Sequence, residues 1–144
     1  MPPAGGRADP FASFNFIVEI NGIQAASFAE VSGLESETAV IEYRTGADLT
    51  LRKLPGLTKY TNITLKRGVT QDYELWNWRK AVVNGTADRR DGSVVLLDGK
   101  RNEVLRWNFF EAWPCRWVGP GLNAKSNEVA IETLELAVER IELA

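Results

Sequence analysis

The chain has 144 residues, a formal net charge of −2 and a pI near 5.3, which suits one domain with a real core and excludes a bulk positive field for nucleic acid or anionic membrane. It has no histidine and one cysteine, so the commonest metal ligand, the usual neutral-pH general base and an internal disulfide are all missing. Residues 1–11 are rich in Pro, Gly and Ala, with Arg7 and Asp9 but no apolar run of the kind a secretory signal needs. They read as a flexible arm, and residues 12–144 as a single domain. No stretch approaches the ~20 apolar residues of a membrane span.

Phe14, Phe16, Val18 and Ile20 alternate with Asn15, Ile17, Glu19 and Asn21, the pattern of a half-buried strand. Asn21-Gly22 is the strongest hairpin signal in the chain, because a type I′ turn needs positive φ at both central residues. A return strand over Ile23 to Phe28 and the segment Glu30 to Leu34 follow. Thr38 to Arg44 reads as another strand, with Thr38 and Val40 opposed to Ile41 and Tyr43.

A long loop is expected at about residues 45–59, opening with Thr45-Gly46-Ala47-Asp48. Its distinctive part is Arg52-Lys53-Leu54-Pro55-Gly56-Leu57, where Pro-Gly marks a sharp turn. Leu54 and Leu57, set among Arg52, Lys53 and Lys59, suit a docking surface better than a solvated tip. From Tyr60 onward, Ile63 and Leu65 alternate with Asn62, Thr64 and Lys66, a strand with one buried face.

A single helix is predicted over about residues 71–84. Thr70 is its expected cap, Asp72 and Glu74 lie in the first turn where the dipole favours carboxylates, and Asn84-Gly85 supplies the left-handed stop. Leu75, Trp78 and Val82 share one face. Tyr73, Trp76, Lys80 and Val83 share a neighbouring one, giving an apolar arc too wide for a surface helix of a small monomer. That second face is either a subunit interface or sunk in the helix's own core.

Ser93 to Leu97 is an apolar run bounded by Asp91-Gly92 and Asp98-Gly99, a strand covered on both faces. Glu103 to Ala112 pairs back with Leu105, Trp107 and Phe109 facing one way, and Trp113-Pro114 is expected to end it. In the last segment Val129 and Ile131, then Leu134, Leu136 and Val138, alternate as a strand would. Glu132, Glu135, Glu139 and Glu142 sit at helical spacing, but the period-2 matches are more numerous, so a strand to about Glu139 is expected. Short strands at regular spacing with one helix make the fold mainly β, a sandwich or small barrel.

Chemistry finds little support. Glu35 and Glu37 suit a charged strand edge better than an acid–base pair. Ser32 and Ser93 have no histidine to activate them. Cys115 beside Arg116 could favour a thiolate, though a small residue packed among aromatics explains it better. Neither catalytic residues nor sites for a cofactor or metal are expected. Lys66-Arg67, Arg106-Trp107 and Arg116-Trp117 place cations beside aromatics as single-strand binders do, against which stand the acidic balance and the core position of Trp107.

The stretch Lys53-Leu-Pro-Gly-Leu-Thr-Lys-Tyr60 followed by Thr64-Leu-Lys-Arg-Gly68 resembles the tail-tube proteins of contractile phage tails and extracellular contractile injection systems. Leu75-Trp-Asn-Trp78, Gly92 to Asp98, Trp107-Asn-Phe109, Ala112-Trp-Pro114, Gly119-Pro120, Leu122 to Lys125 and Asn127 to Leu136 resemble the family in the same order. The resemblance implies two packed antiparallel sheets and one helix, hexameric rings stacked head to tail, and a hollow inner tube driven through an envelope by a contracting sheath. It makes the basic loop a ring-stacking element. It implies self-association, a sheath protein, baseplate and tube-terminating proteins and cargo in the lumen as partners, with no membrane insertion by the monomer. The place expected is the cytoplasm during assembly, then the particle. A tube-initiating baseplate paralogue, or a monomeric β-sandwich binding a ligand or nucleic acid, are the alternatives.

Overall fold

In the computed structural model, residues 9–12, 15–21, 23, 28–125 and 127–144 are described. Phe14, Gly22, the return-strand positions 24–27 and most of the predicted N-terminal arm lie outside them. The strands are β1 (Phe16–Ile20), β2 (Glu30–Ser32), β3 (Ser36–Tyr43), β4 (Arg52–Tyr60) and β5 (Ile63–Gly68). After helix α1 (Glu74–Val83) come β6 (Arg90–Leu97), β7 (Glu103–Val118), β8 (Ile131–Ala137) and β9 (Arg140–Leu143).

All observed pairings are antiparallel. One path of pairing runs β1-β6-β7-β8-β5-β2, with β9 also on β7. The path becomes two sheets because β7 is long and bent. Its first half pairs with β6 and β9, and its second half, from Trp113, pairs with β8. The corner is a bulge: Arg90 faces Ala112 while Gly92 faces Phe109, leaving an extra residue on β7. Glu111 takes a positive φ of 55° there, and its amide donates to the Asp91 carboxylate at 3.0 Å.

Period-2 alternation then fills the space between the sheets. Val18 and Ile20 from β1, Val94 from β6 and Phe109 from β7 meet Ile63 and Leu65 from β5 and Leu134 and Leu136 from β8. Helix α1 packs on β7 and contributes Leu75 and Trp78 to the same core. The Trp78 indole donates to the Asp88 carbonyl at 2.7 Å, so its one polar atom is satisfied inside. Val94 and Val95 are both buried, as an apolar run covered on both faces requires.

Several expectations change. Arg52 to Leu57 is strand rather than loop, and the turn is confined to 44–51. Pro55 misled because Pro-Gly usually breaks a strand; here β4 is an edge strand, where a missing N–H costs no ladder bond. A bulge adds to this, since Thr38 faces Thr58 while Val40 faces Pro55. Trp113-Pro114 does not end β7, and Pro114 pairs with Leu136 next to a second bulge. The helix starts at Glu74, not residue 71, and Thr70 does not cap it: its hydroxyl accepts from the Asp72 amide, and the Asp72 carboxylate accepts from the Glu74 amide. At the other end Gly85 adopts φ +96°, the predicted stop. The C-terminal strand stops at Ala137, and β9 follows as a separate strand on β7.

Candidate functional site

Two surfaces carry apolar side chains that the monomer does not bury. The first is the β3–β4 hairpin, a two-stranded sheet separate from the rest of the ladder. Every residue of β3 is exposed, and on β4 only Gly56 and Tyr60 are partly covered. Ile41 pairs with Leu54 and Val40 with Pro55, so apolar side chains occupy both faces. Leu54 is 48% exposed and Leu57, displayed at the bulge, is 87% exposed. A Cβ on Gly56 would sit 3.1 Å from the Ala39 carbonyl oxygen and 3.2 Å from Ile41, so glycine lets the strands stay close where the bulge forms.

What stabilises the hairpin internally is modest. Thr38 and Thr58 hydroxyls meet at 2.8 Å, Arg52 pairs with Asp48 at 3.0 Å and Lys59 with Glu37 at 4.0 Å. Exposed pairs of this kind contribute about 0.2–1 kcal/mol each. A lone two-stranded hairpin is marginal in water, and its open edges invite another chain. Arg52, Lys53, Leu54, Pro55, Gly56 and Leu57 are thus brought together on one exposed strand.

The second surface is the outer face of α1. Leu75 and Trp78 are buried and Val82 is half-buried, whereas Tyr73, Trp76, Lys80 and Val83 are all exposed. That decides the sequence ambiguity: this face is not sunk in the helix's own core. Trp76 meets Trp117 of β7 edge-on, with ring centroids 4.8 Å apart. With Tyr73 they border an open notch of about 240 Å³ whose floor includes Arg67 and Glu132.

Arg67 holds the notch in shape. It is 4% exposed, and its Nε donates to Glu132 at 2.7 Å while Nη2 donates to the Asp72 carbonyl at 2.9 Å. The second Glu132 oxygen accepts from the Trp117 indole at 3.4 Å. One buried cation thereby ties the end of β5 to β8 and to the chain entering α1. Sequence reasoning named Arg67 and Trp117 only in cation–aromatic pairs and missed their place in this notch. The signal for Arg67 was available, because it shares the inward period-2 face with Ile63 and Leu65.

The other sequence candidates resolve into structural roles. The three cation–aromatic pairs form no common track: Arg67 is buried, Arg106 is engaged by Glu19 and Glu103, and Arg116 by Glu135. Cys115 is half-buried, and burial pushes its thiol up from the ordinary value, against an activated thiolate. Both Glu35 and Glu37 are exposed, Glu37 on β3 and Glu35 just before it. Among the described residues, no group of three or more His, Cys, Asp or Glu could hold a metal ion. No described helix is long and apolar enough to cross a membrane.

The family described as T4-like virus tail tube protein gp19 matches residues 12–142. The chain belongs to that family. Solved relatives agree with this placement of a tail tube protein. The chain is 30% identical to one in an extracellular contractile injection system, the PVC sheath-tube complex in its extended state, with a TM-score of 0.86. That match covers 94% of this chain and 91% of the other. A chain from the anti-feeding prophage baseplate is 26% identical, with TM-score 0.87 and coverage of 96% and 97%. One from the tube-terminating cap of the same prophage is 27% identical, with TM-score 0.87 and coverage of 100% and 99%. No curated protein matches the sequence significantly. Two antiparallel sheets with one helix are the tail tube fold of these neighbours.

Proposed function

We propose that this tail tube protein assembles as stacked hexameric rings into the rigid inner conduit of a contractile injection particle. The observation that carries the proposal is the β3–β4 hairpin, an extended, largely exposed arm with leucines on a basic strand and no core of its own. Such an arm is unfavourable to keep in a monomer and favourable once covered by another copy. The hairpin is read as the stacking element between rings, and the face of Tyr73, Trp76, Lys80 and Val83 as a subunit contact. Contacts between unlike patches close into a ring where their rotation closes and propagate where it does not, so the contact around the ring is of the first kind and the stacking contact, which builds the filament, of the second.

The matched structures, a sheath-tube complex, a baseplate and a tube-terminating cap, support the same classes of partner for this chain. The tube role asks for no catalysis, cofactor or metal, and the cargo travels in the lumen. Negative-stain electron microscopy of the purified protein over a concentration series, alone and with its cognate sheath and baseplate, tests the assignment. Six-fold rings and hollow rods are the expected result. A persistent monomer in every mixture would refute it.

A further inference from the structure

Resting on the tube assignment, we propose that the notch bordered by Tyr73, Trp76 and Trp117 receives the β3–β4 hairpin of another copy of this chain, with Leu57 as the inserted side chain. The two surfaces match in chemistry. The notch is walled by three exposed aromatic rings around about 240 Å³, more than the ~150 Å³ that accepts a benzene ring in an apolar cavity. Leu57 is the most exposed apolar side chain on the hairpin's strands, and it lies at the bulge.

Charge points to the same pairing. Over the hairpin from Ser36 to Tyr60, Arg44, Arg52, Lys53 and Lys59 exceed Glu37, Glu42 and Asp48 by one charge, with Arg52 paired to Asp48 and Lys59 to Glu37. Among the residues lining the notch, Asp72 and Glu132 are the carboxylates and Arg67, paired with both, is the cation, which leaves one net negative charge. A leucine on an arm of net positive charge, with Lys59 two residues away, therefore meets an aromatic slot of net negative charge. Complementary potentials of this kind fix register and reject other orientations. The notch is also preformed, since Arg67 holds its floor through Glu132 and Asp72. Little ordering of that side remains when the hairpin arrives. Within one chain β4 packs with β3 and β9 while α1 packs with β7, so donor and acceptor surfaces belong to different parts of the fold.

Site-directed crosslinking tests the pairing. In a Cys115→Ser background, Leu57→Cys is combined with Tyr73→Cys or with Trp76→Cys. Leu57→Cys with Lys100→Cys, at the exposed β6–β7 turn, is the control. Assembled tubes, verified by microscopy, are treated with a short bismaleimide. A covalent ladder of dimers and larger species is expected from both notch pairs and not from the control. Tubes without a ladder, or a ladder of equal yield in the control, overturn the notch assignment and leave the tube assignment standing. Failure of the unsubstituted protein to form tubes overturns both. Hydroxyl-radical footprinting of unsubstituted tubes against monomer removes dependence on the variants. Leu57, Tyr73 and Trp76 are expected to lose label together, and continued labelling of Tyr73 and Trp76 refutes the pairing.

Discussion

Replacing Leu54 and Leu57 together by Asp is expected to leave the monomer folded and abolish long tubes. In the monomer these side chains are 48% and 87% exposed, so they contribute little to its core. Exposed substitutions usually change stability by less than about 0.5 kcal/mol, so the melting temperature should move by only a few degrees. The assembled state is different. Fully burying a leucine is worth about 1.5–3 kcal/mol, and scaling by the exposed fractions gives about 2–4 kcal/mol per copy. That corresponds to roughly a 30- to 1,000-fold weaker contact for each copy, before the cost of desolvating two carboxylates. Repetition around a ring multiplies the loss. Circular dichroism melts establish the fold, and pelleting with electron microscopy measures the assembly. Tubes of normal length from the double variant would refute the stacking role of the hairpin. A collapsed melting curve would show instead that the hairpin belongs to the folded core.

Other expectations follow from the same geometry. Arg67→Met should destabilise the protein by about 3–5 kcal/mol in a denaturant titration, because Glu132 is left inside without its cation; parental stability would refute the buried-pair account. Trp107→Ala should cost about 2–4 kcal/mol, somewhat below a fully buried aromatic, since the ring is only partly covered against the core; an unchanged melt would exclude that packing. The hydrogen bond from Arg106 holds the Glu103 carboxyl below its ordinary value, so its contribution to stability is present above the unfolded pKa and fades as pH falls through the folded one. Arg106→Gln should raise the Glu103 midpoint in an NMR titration, and an unmoved midpoint would assign the shift elsewhere.

Much of the architecture was legible in the residues. Alternation in Phe16 to Ile20 and in Ile63 to Leu65 pointed to strands with one inward face, and those inward residues are the core. Asn84-Gly85 marked the helix stop, while the wide apolar arc of α1 left its second face open to either reading until the structure showed it exposed. The misreadings share a cause. Pro55-Gly56 and Trp113-Pro114 are local break signals, yet each lies in a strand next to a bulge. Local chemistry reports what a residue disfavours. Whether an edge or a bulge removes the conflict depends on a partner strand far away in sequence.

The sequence by itself determined the class of protein: mainly β, without histidine-based chemistry, with one amphipathic helix and a stretch that is both basic and apolar. Hydrophobic periodicity and backbone preference are local, and local terms suffice for those conclusions. Tertiary structure alone decided that Arg52 to Tyr60 is half of a separate two-stranded hairpin, and that Arg67 is buried. It also joined Trp76 of α1 to Trp117 of β7 in one notch. Those facts depend on the bend of β7 and the register of β5 against β8, which only the packed core fixes.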